Sequence, residues 1–302
     1  MSVTETAGSA SPSTASGETW TIGRLLTWTA DYLKKQGSES PRLDAEVLLA
    51  FARGCQRIEL YTAFGDIADD KLRTQFRDLV RQRALGTPVA YLVGRREFYS
   101  ISFRVTPAVL IPRPETEFVV IEVLDRVKGL GDAAVADIGT GSGAIAVSVA
   151  KHAPRARVKA VDLSPAALEV ARGNIVEQGV SDRVECLLGD LLEPLPAGMQ
   201  FDVIASNPPY VSESEYASLA RDVKDHEPRM ALVGGPTGAE VIARLVSEAA
   251  DRVRTGGFLI VEISPMILDA VKELAAADSR WRLAAVVKDL AGHPRVVTLQ
   301  RV

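Results

Sequence analysis

"AVADIGTGSGAIAVSVA", residues 134–150, joins an apolar run to a helix-periodic one through three glycines in five positions. Ala134–Ile138 has the length and composition of a buried strand, and the residues after Gly143 have helical spacing. Gly139, Gly141 and Gly143, with Thr140 and Ser142 between them, let the backbone approach a ligand closely. The helix that follows starts with N–H groups that have no partner inside it. A strand, a glycine-rich turn and a helix in this order open a parallel α/β unit that holds its ligand at the carboxyl edge of a sheet.

The pattern continues on both sides. From residue 113 onward, strands are expected at 133–138, 157–162, 184–188, 201–206, 257–263, 282–288 and 294–301. Helices are expected at about 114–128, 143–152, 165–178, 238–254 and 265–277. Such alternation predicts a parallel sheet with helices on both faces. The last two strands are separated only by a short Leu290-Ala291-Gly292 turn, so they form an antiparallel hairpin. The fold class is therefore α/β, Rossmann-like, with a mostly parallel seven-stranded sheet and a C-terminal antiparallel hairpin.

Residues 19–96 read differently, as a small α-helical bundle. Ile22, Leu25, Leu26, Thr29 and Leu33 share one helical face; Leu43, Val47, Leu48 and Phe51 form the stripe of a second helix, with Ser40 as cap and Pro41 at its first position. Leu72, Phe76, Leu79 and Val80 mark a third helix ending at Gly86, and short helical pieces are expected around 57–64 and 87–93. "EFYSISFRVTPAVLIP", residues 97–112, alternates around Thr106-Pro107 and predicts a β-hairpin linking this bundle to the α/β domain at 113–302. Residues 1–18, rich in Ser, Thr, Ala and Gly, are expected to form a disordered tail.

Composition narrows the function. With 47% hydrophobic and 25% charged residues the chain has ordinary globular content. Its net charge of −4 argues against broad capture of nucleic acid. The bundle holds 13 Lys/Arg against 9 Asp/Glu, a mildly basic surface at most. Two cysteines and three histidines at unrelated spacings predict no metal site. No apolar stretch is long enough for a membrane span, and the N-terminus lacks a secretory pattern, so the expected location is the cytoplasm.

The glycine loop departs from the dinucleotide fingerprint, because Ala144 stands where a third glycine would be. Asp137 precedes the loop, where a carboxylate repels a pyrophosphate and pairs with a cationic ligand. Asp162 ends the next strand, in "RVKAVDLSP", at the position that accepts hydrogen bonds from ribose hydroxyls. Asp190 follows the third strand in "LLGDLL", near where an adenine amino group would lie. Three acids at successive strand ends describe a nucleoside bearing a ribose and a positive charge. S-adenosylmethionine fits that description, and a nicotinamide dinucleotide does not.

"ASNPPYV", residues 205–211, ends another buried strand in an unusual way. Pro208 and Pro209 remove two N–H donors and fix two φ angles, leaving a stiff segment rich in carbonyls. Asn207 precedes them and Tyr210 follows. A conjugated NH2 is a poor nucleophile, and acceptors on both of its N–H groups orient it and stabilise the charge that develops. The Asn207 side-chain oxygen is expected to take one proton and the Pro208 carbonyl the other, while Tyr210 stacks on the planar group. Asn207 also borders the donor site. An adenine amine and a carboxamide satisfy these acceptors equally, so the motif alone leaves the substrate open.

Four motifs in order, "VLIPRPETE" (109–117), "DIGTGSGAIA" (137–146), "SNPPYV" (206–211) and "HEPRMAL" (226–232), resemble the HemK/PrmC family of peptide chain release factor glutamine methyltransferases. The resemblance covers nearly everything from about residue 20 onward. It implies a class I S-adenosylmethionine-dependent fold and methylation of the glutamine side-chain amide in the Gly-Gly-Gln motif of class-1 release factors, with S-adenosylhomocysteine as product. It further implies that the helical bundle helps to dock the release factor, and that no stable nucleic-acid partner is required. A monomer acting on a protein substrate is the simplest arrangement. Arg113 is expected either to hold a substrate carbonyl or to pair with a nearby acid, and His226-Glu227-Pro228 to form a wall of the substrate channel. Glu115 and Glu117 suit the positive end of a helix.

Two departures from the family pattern stand out. Leu191 replaces a frequent aromatic residue and packs on adenine with less stacking. Glu262-Ile263-Ser264-Pro265-Met266 replaces Glu-Ile-Gly and a following glutamine. Distant in sequence from the donor loop, that second stretch is given little weight. The rival readings each lack something. A nucleic-acid adenine methyltransferase needs a basic target-recognition region. A catalytically silent S-adenosylmethionine-binding adaptor needs a damaged loop or acceptor motif.

Overall fold

Residues 19–302 are described by the structure, a computed structural model; the tail expected over 1–18 lies outside them. The chain divides into two units between Leu85 and Gly86.

The first unit contains α1 (Ile22–Lys35), α2 (Pro41–Arg53), α3 (Arg57–Thr62) and α4 (Asp70–Ala84). Thr21 caps α1 by accepting the Arg24 N–H, and the stripe Ile22, Leu25, Leu26, Thr29 and Leu33 is buried as its spacing predicts. Helix α2 is rotated from expectation. Leu43 and Phe51 are exposed, while Asp44 and Glu46 are buried with Leu48 and Leu49. Ion pairs make this face tolerable. Asp44 accepts from Arg83, and Glu46 accepts from Arg42, Arg57 and the Tyr61 hydroxyl. A hydrophobicity pattern does not register buried acids that find partners elsewhere in the chain.

The second unit opens with α5 (Val89–Val93), β1 (Arg95–Phe98) and β2 (Ile101–Arg104). Helical periodicity assigns α5 to the bundle, but here Ala90 and Tyr91 pack on Val105, Val109, Ala167 and Val170, and the Tyr91 hydroxyl donates to the Val109 carbonyl. The hairpin turns at Tyr99-Ser100 rather than at Thr106-Pro107, with φ of 50° and 57° at the two turn residues. A type I′ hairpin turn needs positive φ at both central residues, which Asn-Gly usually supplies. Here Glu117 secures the turn by accepting the Tyr99 N–H, and the Tyr99 ring meets His152 edge-on.

There follow α6 (Glu117–Val127), β3 (Ala134–Ile138), α7 (Ala144–His152), β4 (Arg157–Asp162), α8 (Pro165–Glu177), β5 (Val184–Leu188), β6 (Phe201–Ser206), β7 (Val211–Ser212), α9 (Glu213–Tyr216), α10 (Arg221–Lys224), β8 (Val233–Gly235), α11 (Glu240–Ala249), β9 (Val253–Glu262), α12 (Leu268–Ala277), β10 (Trp281–Lys288) and β11 (Pro294–Arg301). Short 3-10 turns at Pro114–Thr116 and Pro265–Ile267 lead into α6 and α12. The strand order is β10-β11-β9-β6-β3-β4-β5, with β11 antiparallel to both of its neighbours and the other pairings parallel.

Alternation along the strands feeds two cores. Val135, Val158, Val203 and Ile260 face α6 and α7, while Ala136, Ile138, Val161, Ile204 and Leu259 face α11 and α12. The expected helix at 238–254 ends earlier, at Ala249, and β9 begins at Val253. A register shift after Phe201 admits Gly256 and Gly257 into the strand.

Strand order reverses between β3 and β6, so the loops after these two neighbours diverge and leave a crevice at their carboxyl ends. Ile138 pairs with Ser206 across that boundary, and the Ser206 hydroxyl donates to the Ile138 carbonyl at 2.7 Å. The glycine loop and the Asn-Pro-Pro-Tyr segment thus leave the sheet side by side.

Candidate active site

A cavity of about 360 Å3 opens at this switch point, within the range of small-ligand sites. Gly139–Ser142, Asp162, Asp190 and Leu191 line it, together with Asn207 and Pro209. Thr116 and Arg244 line it as well, although neither was singled out from the sequence. Pro112 and Val109 wall it from the segment after β2, Pro228 and Met230 from the segment before β8, and Val233 from the start of β8.

Three N–H groups of the glycine loop are engaged within the protein and so are not offered to a phosphate: Thr140 with the Val161 carbonyl, Gly141 with Asp162 Oδ2, and Gly143 with the Thr140 carbonyl. Gly139, Gly141 and Gly143 have positive φ values of 70°, 56° and 80°, a backbone shape that glycine adopts readily. Gly143 itself is not part of the cavity wall; it faces Ala171 of α8.

Asp137 takes a different place from the one expected. It is fully buried beneath the loop and is not among the lining residues. Its Oδ2 accepts the Thr140 hydroxyl at 2.6 Å and the Ala146 N–H at 3.0 Å, which caps the start of α7 from below. Its Oδ1 is buried without a hydrogen-bond partner. Burial pushes the Asp137 carboxyl up to about 7, against the hydrogen bonds from Thr140 and Ala146.

Asp162 does reach the cavity. Its two oxygens accept the Gly141 and Ser164 N–H groups at 2.8 and 2.9 Å, so the carboxylate is held rigidly with lone pairs to spare. Asp190 accepts from Arg244 at 2.8 Å on the exposed rim. Asp162, Asp190 and Arg244 are the charged residues of the lining, and the cation among them is already paired. The chemistry of this donor set suits a nucleoside carrying positive charge and does not suit a pyrophosphate.

On the acceptor side, the Asn207 Nδ2 donates to Thr116 Oγ1 at 3.0 Å, and the Thr116 hydroxyl donates to Glu262 Oε2 at 2.6 Å. The other oxygen, Oε1, accepts the Tyr210 hydroxyl at 3.0 Å. Glu262 is 1% exposed, so the stretch given little weight on sequence grounds lies directly behind the acceptor motif. Burial pushes its carboxyl up to about 7; Thr116 and Tyr210 oppose the shift, nearby Glu115 adds to it and Arg295 counters it. Pro208 is buried, and Tyr210 packs against the core on the α11 and α12 side.

Arg113 and Glu227 do not line the cavity. They pair with one another, and Glu227 also accepts the Ile111 N–H at 3.2 Å. Arg113 thus meets a nearby acid, one of the two partners expected for it, and the pair ties the Pro112 wall to the Pro228 wall. His226 is half-buried and is not among the lining residues. Met266, in the departing stretch, is exposed. Among the described residues no group of three or more His, Cys, Asp or Glu is placed to hold a metal, and no helix is long and apolar enough to cross a membrane.

The two acids at about 7 carry a consequence for stability. In the unfolded chain both ionise in the ordinary carboxylate range near pH 4. Between about pH 4 and pH 7 the folded state therefore holds protons that the unfolded state has released. Their contribution favours folding below that window and is lost as the pH rises through about 7. Urea unfolding between about pH 5 and pH 8 is expected to show this decline, and Glu262→Gln is expected to flatten it. An unchanged slope in the variant would contradict the raised titration of Glu262.

Comparison with known proteins extends the reading to the whole chain. The model of the PrmC N-terminal domain matches residues 24–94, and that of the methyltransferase small domain matches residues 117–225. The chain is 53% identical over 292 residues to a release factor glutamine methyltransferase of Rhodopirellula baltica, covering 95% of this chain and 99% of that protein. A protein of the same name from Moorella thermoacetica is 45% identical over 275 residues, 91% of this chain and 96% of that one. Among solved structures, the hMettl16 catalytic domain in complex with a MAT2A 3′UTR hairpin aligns with a TM-score of 0.55 at 15% identity, over 74% of this chain and 80% of that one. That likeness shows the shared class I methyltransferase fold. Similarity at this level, across both units and almost the full length of the relatives, establishes that the chain belongs to the release factor glutamine methyltransferase family.

Proposed function

We propose that the protein methylates the side-chain amide nitrogen of the glutamine in the Gly-Gly-Gln motif of class-1 peptide chain release factors, with S-adenosylmethionine as donor. The relatives' names support the choice of substrate, and the observation that supports an amide nitrogen as methyl acceptor is the polarity of Asn207. Its Nδ2 is committed to Thr116, and among the described residues its Oδ1 engages no donor, so the side chain offers an acceptor at the cavity wall. An acceptor is what an incoming NH2 needs.

Asp162 and the loop Gly139–Ser142 would hold the donor's nucleoside, with Asp190 and Leu191 at its base. S-adenosylmethionine, when bound there, supplies an electrophilic methyl group on a sulfonium. The protein's own part is to bring the amide to that methyl and stabilise the charge that develops on nitrogen. Asn207 Oδ1 accepts one amide N–H, and the Pro208 carbonyl accepts the other. Tyr210, whose ring packs on the core and is not among the lining residues, holds the acceptor segment from behind through its hydroxyl bond to Glu262. Two converging acceptors favour the transition state over the ground state, because the N–H groups become more acidic as the new bond forms. The surplus proton then leaves to solvent, and no strong general base is required. On this reading the reaction takes place in the cytoplasm, between one copy of the chain and its protein substrate.

Intact-mass analysis tests the assignment. An unmethylated class-1 release factor incubated with the protein and S-adenosylmethionine is expected to gain one methyl group. The same factor with the Gly-Gly-Gln glutamine replaced by alanine is expected to gain none. No gain on the unaltered factor, with donor binding confirmed, would contradict the proposal.

A further inference from the structure

We propose that Glu262 is a specificity-determining positioning residue, which acts through Thr116 to fix which end of the Asn207 amide faces the substrate. This inference rests on the glutamine-amide reading above and goes beyond it.

The two ends of an asparagine amide are nearly the same size, so shape alone does not choose between them. Hydrogen-bond polarity does. Glu262, ionised, is acceptor-only, and both of its oxygens are used: Oε1 by the Tyr210 hydroxyl and Oε2 by the Thr116 hydroxyl. Thr116 has a single proton, and once it is directed at Glu262 its oxygen can only accept toward Asn207. The contact at 3.0 Å must then be Nδ2–H to Oγ1, which leaves Oδ1 for the substrate. A buried carboxylate that gives no direct ion pair is costly to maintain. Among the described residues no Lys or Arg bonds to Glu262; Arg295 favours its charged form and Glu115 works against it. A neutral amide in this place would avoid the cost but would not impose the polarity.

Replacement by glutamine shows the logic. If the new side-chain NH2 faces Thr116, it donates to the threonine oxygen, and the threonine proton turns toward Asn207. The asparagine then offers Oδ1 to Thr116 and its NH2 to the cavity. That end opposes a glutamine amide, donor against donor, and welcomes a carboxylate. Thr116→Val removes the link and leaves Asn207 with no imposed polarity.

The test is the ratio of affinities for two release factors, one with Gly-Gly-Gln and one with Gly-Gly-Glu, measured at about pH 8 with S-adenosylhomocysteine bound. Wild type is expected to favour the glutamine form. Glu262→Gln is expected to reduce that preference about tenfold, because the competent orientation becomes a minor population. S-adenosylhomocysteine affinity should stay within about twofold, as the residue does not border the nucleoside. Thr116→Val should reduce the preference similarly, Thr116→Ser should retain it, and adding Glu262→Gln to Thr116→Val should change it no further. A preference unaltered in folded Glu262→Gln, or additive effects of the two substitutions, would overturn the relay. Absence of any preference in the wild type would contradict the substrate reading itself, and the relay with it.

Discussion

Asn207→Ala is expected to lower turnover by about 10²–10³-fold, the usual cost of removing one polar group that stabilises developing charge. S-adenosylmethionine affinity is expected to change little. The donor side of the cavity is built from the β3 and β4 loops, whose hydrogen bonds among Thr140, Gly141, Asp162 and Ser164 do not involve Asn207. The variant should also fold, because Asn207 is only partly buried and Thr116 keeps its bond to Glu262. Calorimetry with S-adenosylhomocysteine and single-turnover methyl transfer separate the two effects. Equal losses in donor affinity and turnover would show that Asn207 shapes the donor site instead of orienting the amide.

A second large effect is expected from a residue that touches no substrate. Gly234 lies in β8, the partner of β7, and a Cβ at that position would come within 2.4 Å of the Pro209 carbonyl oxygen and 2.7 Å of the Gly238 carbonyl oxygen. Both are backbone atoms, so neither yields by rotating a side chain. Ordinary contact begins at 3.4 Å, so the Pro209 backbone must move by about 1 Å, a displacement that can cost on the order of 100-fold in rate. Gly234→Ala is therefore expected to cut turnover by about 10- to 100-fold. Donor affinity and the circular dichroism spectrum should be nearly preserved. Wild-type turnover in Gly234→Ala would mean that the acceptor segment is not held in one place by β8.

Much of this fold is legible in the sequence because its strands are short, buried and rich in Val, Ile and Ala. Both faces of β3 and β6 are covered, so mostly apolar runs, interrupted at Asp137 and Asp202, are what burial demands there. The glycine loop and Asn-Pro-Pro-Tyr are legible for a related reason: their chemistry lies in contiguous residues. Thr116, Arg244, Gly234 and Glu262 are not contiguous with either motif. Thr116 reaches Asn207 across 91 positions and Glu262 across 146, and a Thr before a helix reads as an ordinary first-turn residue. Asp137 misleads in the opposite direction. A carboxylate beside a glycine loop reads as a ligand group, but the strand's alternation turns it under the loop, where it caps α7. The hairpin misleads because Tyr99 and Ser100 adopt positive φ without the glycine that normally signals it.

The most direct measurement is the position of the transferred methyl. A release factor would be treated with the protein and methyl-deuterated S-adenosylmethionine, digested, and fragmented by tandem mass spectrometry. The expected result is one labelled methyl on the side-chain amide nitrogen of the Gly-Gly-Gln glutamine, recovered as N-methylglutamine on hydrolysis under amide-preserving conditions. Label on any other residue, or on the glutamine backbone, would contradict a site organised around the Asn207 acceptor.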